Sequence, residues 1–196
     1  MTRASADDAK DLVEHFERTL GPIAAGWSVG PDGVKMPFQI VRFTDGSDAD
    51  SVGYSTLGLS WRVLPSPTSH LHIRQELLML APEALEPGHV ASILLQVGEM
   101  AIGMERALLR GDVIGPAGSL VPGSDLTALY VTMPSYFPSE FATFSGDHGE
   151  IVIVWLVPIS DSEADYVATH GWDAFEDRLV EQDPDLVDFH RPAMTL

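Results

Sequence analysis

The run IVIVWLVPI, from Ile151 to Ile159, crosses nine positions without a charge. A stretch this short and this rich in β-branched residues suits a strand buried on both faces. Ser160 follows, with Glu163 three positions on, the spacing of a capping box. The pattern predicts a buried strand that hands directly to a helix. Gly171 should interrupt that helix, and Trp172, Phe175 and Leu179 form the apolar stripe of a second short one. Just upstream, Gly146-Asp147-His148-Gly149 is turn chemistry and predicts a hairpin into the Ile151 strand.

Helical periodicity recurs twice more. Leu12, Val13, Phe16 and Leu20 make an apolar stripe over residues 5–20, with Ser5 placed to cap it, Asp7 and Asp8 in its first turn and Gly21-Pro22 to end it. Val90, Ile93, Leu94, Val97, Ala101, Met104 and Leu108 keep a 3.6-residue period, predicting a helix from Pro87 to Leu109 with Gly111 just beyond its end. Gly98 and Gly103 fall inside it, each costing about 1 kcal/mol against Ala, which a close approach of helix to sheet would explain. Met100 and Met104 read as core filling. Strands are expected over 38–43, 52–60 and 126–133. His70 to Leu80 alternates, with Leu71, Ile73, Leu77 and Met79 on one face and His70, His72, Arg74 and Glu76 on the other. An Arg74–Glu76 ion pair is expected there.

These elements describe one α+β domain, and 196 residues suffice for its core. Hydrophobic residues make up 45% of the chain, which argues against disorder. No apolar run reaches the roughly 20 residues of a membrane helix, and MTRASADDAK has no signal-peptide pattern. Cysteine is absent, which excludes disulfides and thiol chemistry and fits a cytoplasmic location. The net charge of −18, with 29 acids against 11 bases, changes the picture most. It disfavours a phosphate-backbone partner, which needs clustered cations, and would steer basic partners inward. Ten acids and one base, Arg178, lie between Ser160 and His190.

Candidate chemistry is sparse. Gly26-Trp27-Ser28-Val29-Gly30 matches G-x-S-x-G, but a nucleophile elbow needs a strand before Ser28 and a helix after it, and Pro31-Asp32-Gly33 reads as a turn. The acidic loop over 44–51 lacks the ligand spacing of a calcium loop. His70 and His72 could share a metal only with further ligands that nothing nearby supplies. Gly111 to Ser124 lacks the Lys of a phosphate-binding loop. No cofactor, metal or catalytic residue is assigned, and the chain is read as non-enzymatic. The expected partner-binding residues are Tyr136 and Phe137, in an aromatic segment, and Asp165, Asp173, Glu176 and Asp177, in the acidic helices.

The order of several short segments adds a resemblance. Thr56-Leu57-Gly58-Leu59-Ser60 precedes Arg74-Gln75-Glu76-Leu77-Leu78. The long helix and Gly111-Asp112 follow, then Val121-Pro122-Gly123-Ser124-Asp125 with Ala128-Leu129-Tyr130, and last Val157-Pro158-Ile159 before Glu163. This resembles the Suppressor of fused domain in its bacterial form, over about 38–191, with the N-terminal helix of 1–21 ahead of it. The resemblance implies an α/β fold, a single domain over 1–196 with a mixed, mostly antiparallel sheet covered by helices, and no catalytic centre. Eukaryotic members act as adaptors that sequester a transcription factor in Hedgehog signalling. Bacterial members are regarded as immunity proteins of polymorphic toxin systems, so a basic toxin is the implied partner. A peptide-binding regulatory adaptor is the alternative, and a serine hydrolase using Ser28 a third. The second domain of the animal proteins is lacking, so their inter-lobe cleft does not carry over.

Overall fold

The structure, a computed structural model, describes residues 6–30 and 33–196. Along the chain it forms α1 (Ala6–Leu20), β1 (Ile23–Val29), β2 (Lys35–Phe43), β3 (Ser51–Leu57), one tight helical turn (Leu59–Trp61), β4 (Leu64–Pro65) and β5 (His72–Pro82). Then come α2 (Pro87–Gly103), β6 (Val113–Ile114), β7 (Leu126–Thr132), a second tight turn (Ser139–Ala142), β8 (Thr143–Gly146), β9 (Gly149–Ser160), α3 (Asp161–His170) and α4 (Trp172–Gln182). The Ser5 cap, the side chains of Asp7 and Asp8, and the Pro31-Asp32 turn lie outside the described residues. The result is the expected mixed α/β fold with a mostly antiparallel open sheet. Among the described residues no helix is long and apolar enough to cross a membrane.

Two compact units divide the chain. The first holds Met1–Leu108 and Met133–Trp155. Its strands run β1-β2-β3-β5-β9, antiparallel except for β5 and β9. The parallel pair aligns Arg74 with Ile151 and Leu78 with Trp155. β4 adds to β5, and β8 forms the expected hairpin with β9. From Leu77 to Ala81, β5 is buried at every position, so its alternation ends where both faces are covered. Leu71 is 69% exposed, because the strand starts only at His72.

Each helix of this unit seats its apolar stripe. Phe16 of α1 meets Phe43 and Phe141, with ring centroids 5.6 and 5.9 Å away. A Cβ at Gly98 of α2 would lie 2.3 Å from Phe38 Cζ, so the close approach expected for Gly98 is real. Nothing comparable faces Gly103. The helix stops at Gly103, short of the expected Leu109. Glu105 takes φ 48, and beyond it the Ala107 N–H donates to the Pro65 carbonyl and the Leu108 N–H to Gln75 Oε1. Leu108 keeps its burial through these tertiary bonds, while Met104 is 57% exposed rather than core filling.

Glu76 also corrects the sequence reading. It is fully buried and faces the turn after β3. Thr56 Oγ1 donates to its Oε2 at 2.5 Å, while Gly58 N, Ser60 N and Ser60 Oγ donate to Oε1 at 2.8, 3.1 and 2.6 Å. Arg74 Nη1 donates to the Ser60 carbonyl, in place of the expected ion pair. Burial raises the Glu76 carboxyl above its ordinary value, although the Ser60, Thr56 and Gly58 donors pull the other way.

The second unit holds Leu109–Thr132 and Leu156–Leu196. Here β7 lies between the end of β9 and β6, with Val113 opposite Tyr130. The capping box is present: Ser160 Oγ accepts from Glu163 N, and Glu163 Oε2 accepts from Ser160 N at 2.8 Å. The same carboxylate receives the fork of Arg191, Nη1 at 2.7 Å and Nη2 at 2.9 Å, and the Met194 N–H at 2.9 Å. Arg191 Nη2 also donates to the Pro158 carbonyl. Burial would raise the Glu163 carboxyl, but the Arg191 hydrogen bonds and charge outweigh it and hold the group below its ordinary value.

Both carboxylates give measurable expectations. Glu76→Ala strands four donors in the core and should cost about 3 kcal/mol or more in urea unfolding. Glu76→Gln, which copies the protonated group, should cost much less. A raised carboxyl takes up a proton on folding, so the native protein loses stability as pH rises through that range, and Glu76→Gln removes this slope. Glu163 has the opposite sign. Its stabilisation is present above the ordinary value of 4.5 and is lost as pH falls through its depressed one. Arg191→Met should cost about 3–5 kcal/mol at neutral pH and reverse that dependence, so that mild acid stabilises the variant.

Candidate functional site

The acidic helices α3 and α4 are set by one backbone feature. Gly171 sits at φ 86 and ψ 163, a conformation open essentially to glycine, and this separates the two helices. Asp161 and Glu163 occupy the first turn of α3 and Asp173 that of α4, where the helix dipole favours negative charge. Phe175 anchors α4 by an edge contact with Tyr130, with centroids 4.9 Å apart.

Beside Phe175, Glu176 turns inward. It accepts from Arg110 Nε at 2.9 Å and from Arg110 Nη2, from Tyr130 Oη at 2.9 Å, and from Thr132 Oγ1 at 3.1 Å. Burial pushes its carboxyl up, but these hydrogen bonds hold it below the usual carboxylate range. The Tyr130 phenol is raised, by burial first and by Glu176 second. The Arg110 guanidinium lies 4.6 Å over the Trp172 ring. Gly111, at φ 92, lets Trp172 rest against the chain, since a Cβ there would come within 2.6 Å of its Cγ. Trp172 is 38% exposed, pinned between Arg110 and Gly111.

The expected partner-binding residues fall in two groups. Asp165, Asp173 and Asp177 are exposed on α3 and α4, and Asp173 and Asp177 share one face of α4. Glu176, counted with them in the sequence, is committed inside the second unit. Tyr136 and Phe137 belong to the first unit. Tyr136 is 41% exposed with its ring 4.8 Å from Trp155, and the half-buried Phe137 ring is 4.9 Å from Phe141. Arg110, Tyr130 and Thr132 escaped the sequence reading, because they converge on Glu176 from 66, 46 and 44 positions away. Ser28 lies exposed within β1, and β2 follows rather than a helix, so the elbow geometry is missing. Among the described residues no group of three metal-ligating side chains occurs.

Arg110→Ala should strip Glu176 of its charged donor and unpin Trp172. The expected result is a loss of about 1–2 kcal/mol of stability, with a red shift of Trp172 emission read in a protein whose other tryptophans are replaced by phenylalanine.

A family model described as Suppressor of fused protein matches residues 35–192, which covers parts of both units. Solved structures agree in fold. A Suppressor of fused homologue from Neisseria gonorrhoeae FA 1090 superposes with a TM-score of 0.75 at 17% identity, covering 97% of this chain and 98% of that one. A chain of the Sufu–Fu complex gives 0.70 at 17% identity, over 95% of this chain and 89% of that one. Drosophila Suppressor of fused gives 0.68 at 15% identity, and there the match spans 95% of this chain but 50% of the fly protein. A search of curated proteins returned no match. With the family model spanning most of its length, the chain belongs to the Suppressor of fused family.

Proposed function

We propose that this chain, as one Suppressor of fused-like domain, is a non-enzymatic binding protein of the cytoplasm that neutralises a basic protein toxin by direct contact. The observation that carries the reading is the distribution of charge. Between Ser160 and His190 ten acids meet one base, and Asp165, Asp173 and Asp177 stand exposed on helices held in place by buried contacts. Glu176 supplies stability there, which leaves the outward aspartates for recognition. A relative's presence in the Sufu–Fu complex supports contact with protein as the mode of action. A surface of this sign accelerates encounter with a cationic partner and repels nucleic acid.

The test uses a cationic toxin encoded beside this chain, co-expressed with it and titrated against it. The domain should restore growth, and the dissociation constant should weaken about tenfold or more between 50 and 500 mM salt. The triple variant Asp165→Asn, Asp173→Asn, Asp177→Asn should slow association by about tenfold while staying folded, with a loss of at most about 1 kcal/mol in urea unfolding from the Asp173 charge at the start of α4. Full growth rescue by the triple variant, or affinity indifferent to salt, would contradict the reading.

A further inference from the structure

β1 closes one side of the sheet of the first unit. It pairs with β2, and among the described residues no strand lies on its other side. Its sequence, IAAGWSV, carries no charge and no proline. Natural edge strands are usually guarded by lysine, by proline or by extreme shortness. β1 has seven residues and lacks all three; two bulge-type register irregularities, between Ile23 and Ala25 and between Trp27 and Val29, can also guard an edge, and they leave Ala25 to Trp27 in regular register. Val29 is 51% exposed.

Alongside this edge runs a groove of about 250 Å³. Trp27, Met36 and Ile40 line its sheet side, and Ala91 and Leu95 its α2 side; among the described residues no charged side chain lines it, and Ser92 is the one polar side chain. The volume falls below the roughly 300–1,000 Å³ of a typical small-molecule site. It suits a single large side chain.

We infer that β1 accepts one more strand from a partner protein, an extended uncharged segment that pairs with the open side of β1 and places one large apolar side chain in the groove. The Ile23 N–H already donates to Glu17 Oε1 at 3.0 Å; past that residue an edge calls for a strand, because only another backbone supplies a matching row of donors and acceptors. The groove selects against charge, since its described lining offers a buried charge no counter-ion. A second copy of this chain is disfavoured because each copy carries −18. This inference shares with the proposed function only the premise that the domain works by contact. The surface and the chemistry are different, and so is the salt dependence.

The probe is a set of fluorescein-labelled eight-residue peptides in which threonine alternates with valine, leucine or phenylalanine. Matched controls carry aspartate at the apolar positions or N-methyl groups on alternate amides. The full chain should bind the uncharged peptides saturably, with less than a threefold change in affinity between 50 and 500 mM salt. Both controls should bind at least tenfold more weakly. Hydrogen exchange should slow at residues 23–29 on binding. Val29→Lys, which guards the edge, and Ser92→Trp, which obstructs the groove from an exposed helix position, should each weaken binding at least tenfold. Absence of saturable binding across the whole set overturns the inference, as does binding that leaves exchange at 23–29 unchanged. Protection of 23–29 in the chain alone, rising with its concentration, replaces the partner strand with a second copy.

Discussion

A carboxylate removed from water must find a donor for nearly every lone pair, or its burial costs several kcal/mol. Glu76 and Glu163 are both fully buried, and much of the local order can be traced to how each is satisfied. Glu76 takes only neutral donors, from Thr56, Gly58 and Ser60, and so fixes the corner between β3 and β5. Glu163 takes a guanidinium fork and two backbone N–H groups. One side chain thereby ties the end of β9, the start of α3 and the C-terminal residues around Arg191. The two solutions displace the carboxyl groups in opposite directions, up for Glu76 under burial and down for Glu163 under the Arg191 charge.

Glu176 follows the same rule at lesser depth, and the consequence reaches the exposed face of α4. Its inward commitment to Arg110, Tyr130 and Thr132 fixes α4, so Asp173 and Asp177 are presented on a rigid surface. The β1 edge makes the contrasting case. It offers backbone groups and a groove whose described lining carries no charge, where the acidic helices offer charge. Contacts of such different kinds would differ in salt dependence, in mutational profile and in the partners they admit.

The strand of β9 and its helix were legible in the sequence because two independent signals agreed: a charge-free β-branched run and a capping box. Gly171 was legible because a glycine inside an acidic amphipathic pattern has few other uses. Glu76 was misread because alternation assigns a residue to a face without saying whether water reaches that face. The end of α2 was misplaced because Leu108 keeps helical spacing while its N–H is claimed by Gln75, a bond made across 33 positions. β1 left no periodic signal, since an exposed edge strand with Ala, Ala and Gly has little to alternate. The Arg191 partner of Glu163 was hidden by 28 positions of separation, as was the convergence on Glu176. Expected site residues were chosen by charge and aromaticity, which locate a surface but not which of its carboxylates face inward.

Site-resolved carbon-13 titration of the Glu76 and Glu163 side-chain carboxyls, in the native protein at fixed ionic strength, tests the central claim most directly. Glu76 should titrate above the ordinary glutamate value of 4.5 and Glu163 below it. Two carboxyls titrating together near that value would mean that neither is held as described, and the account of what organises this scaffold would fail.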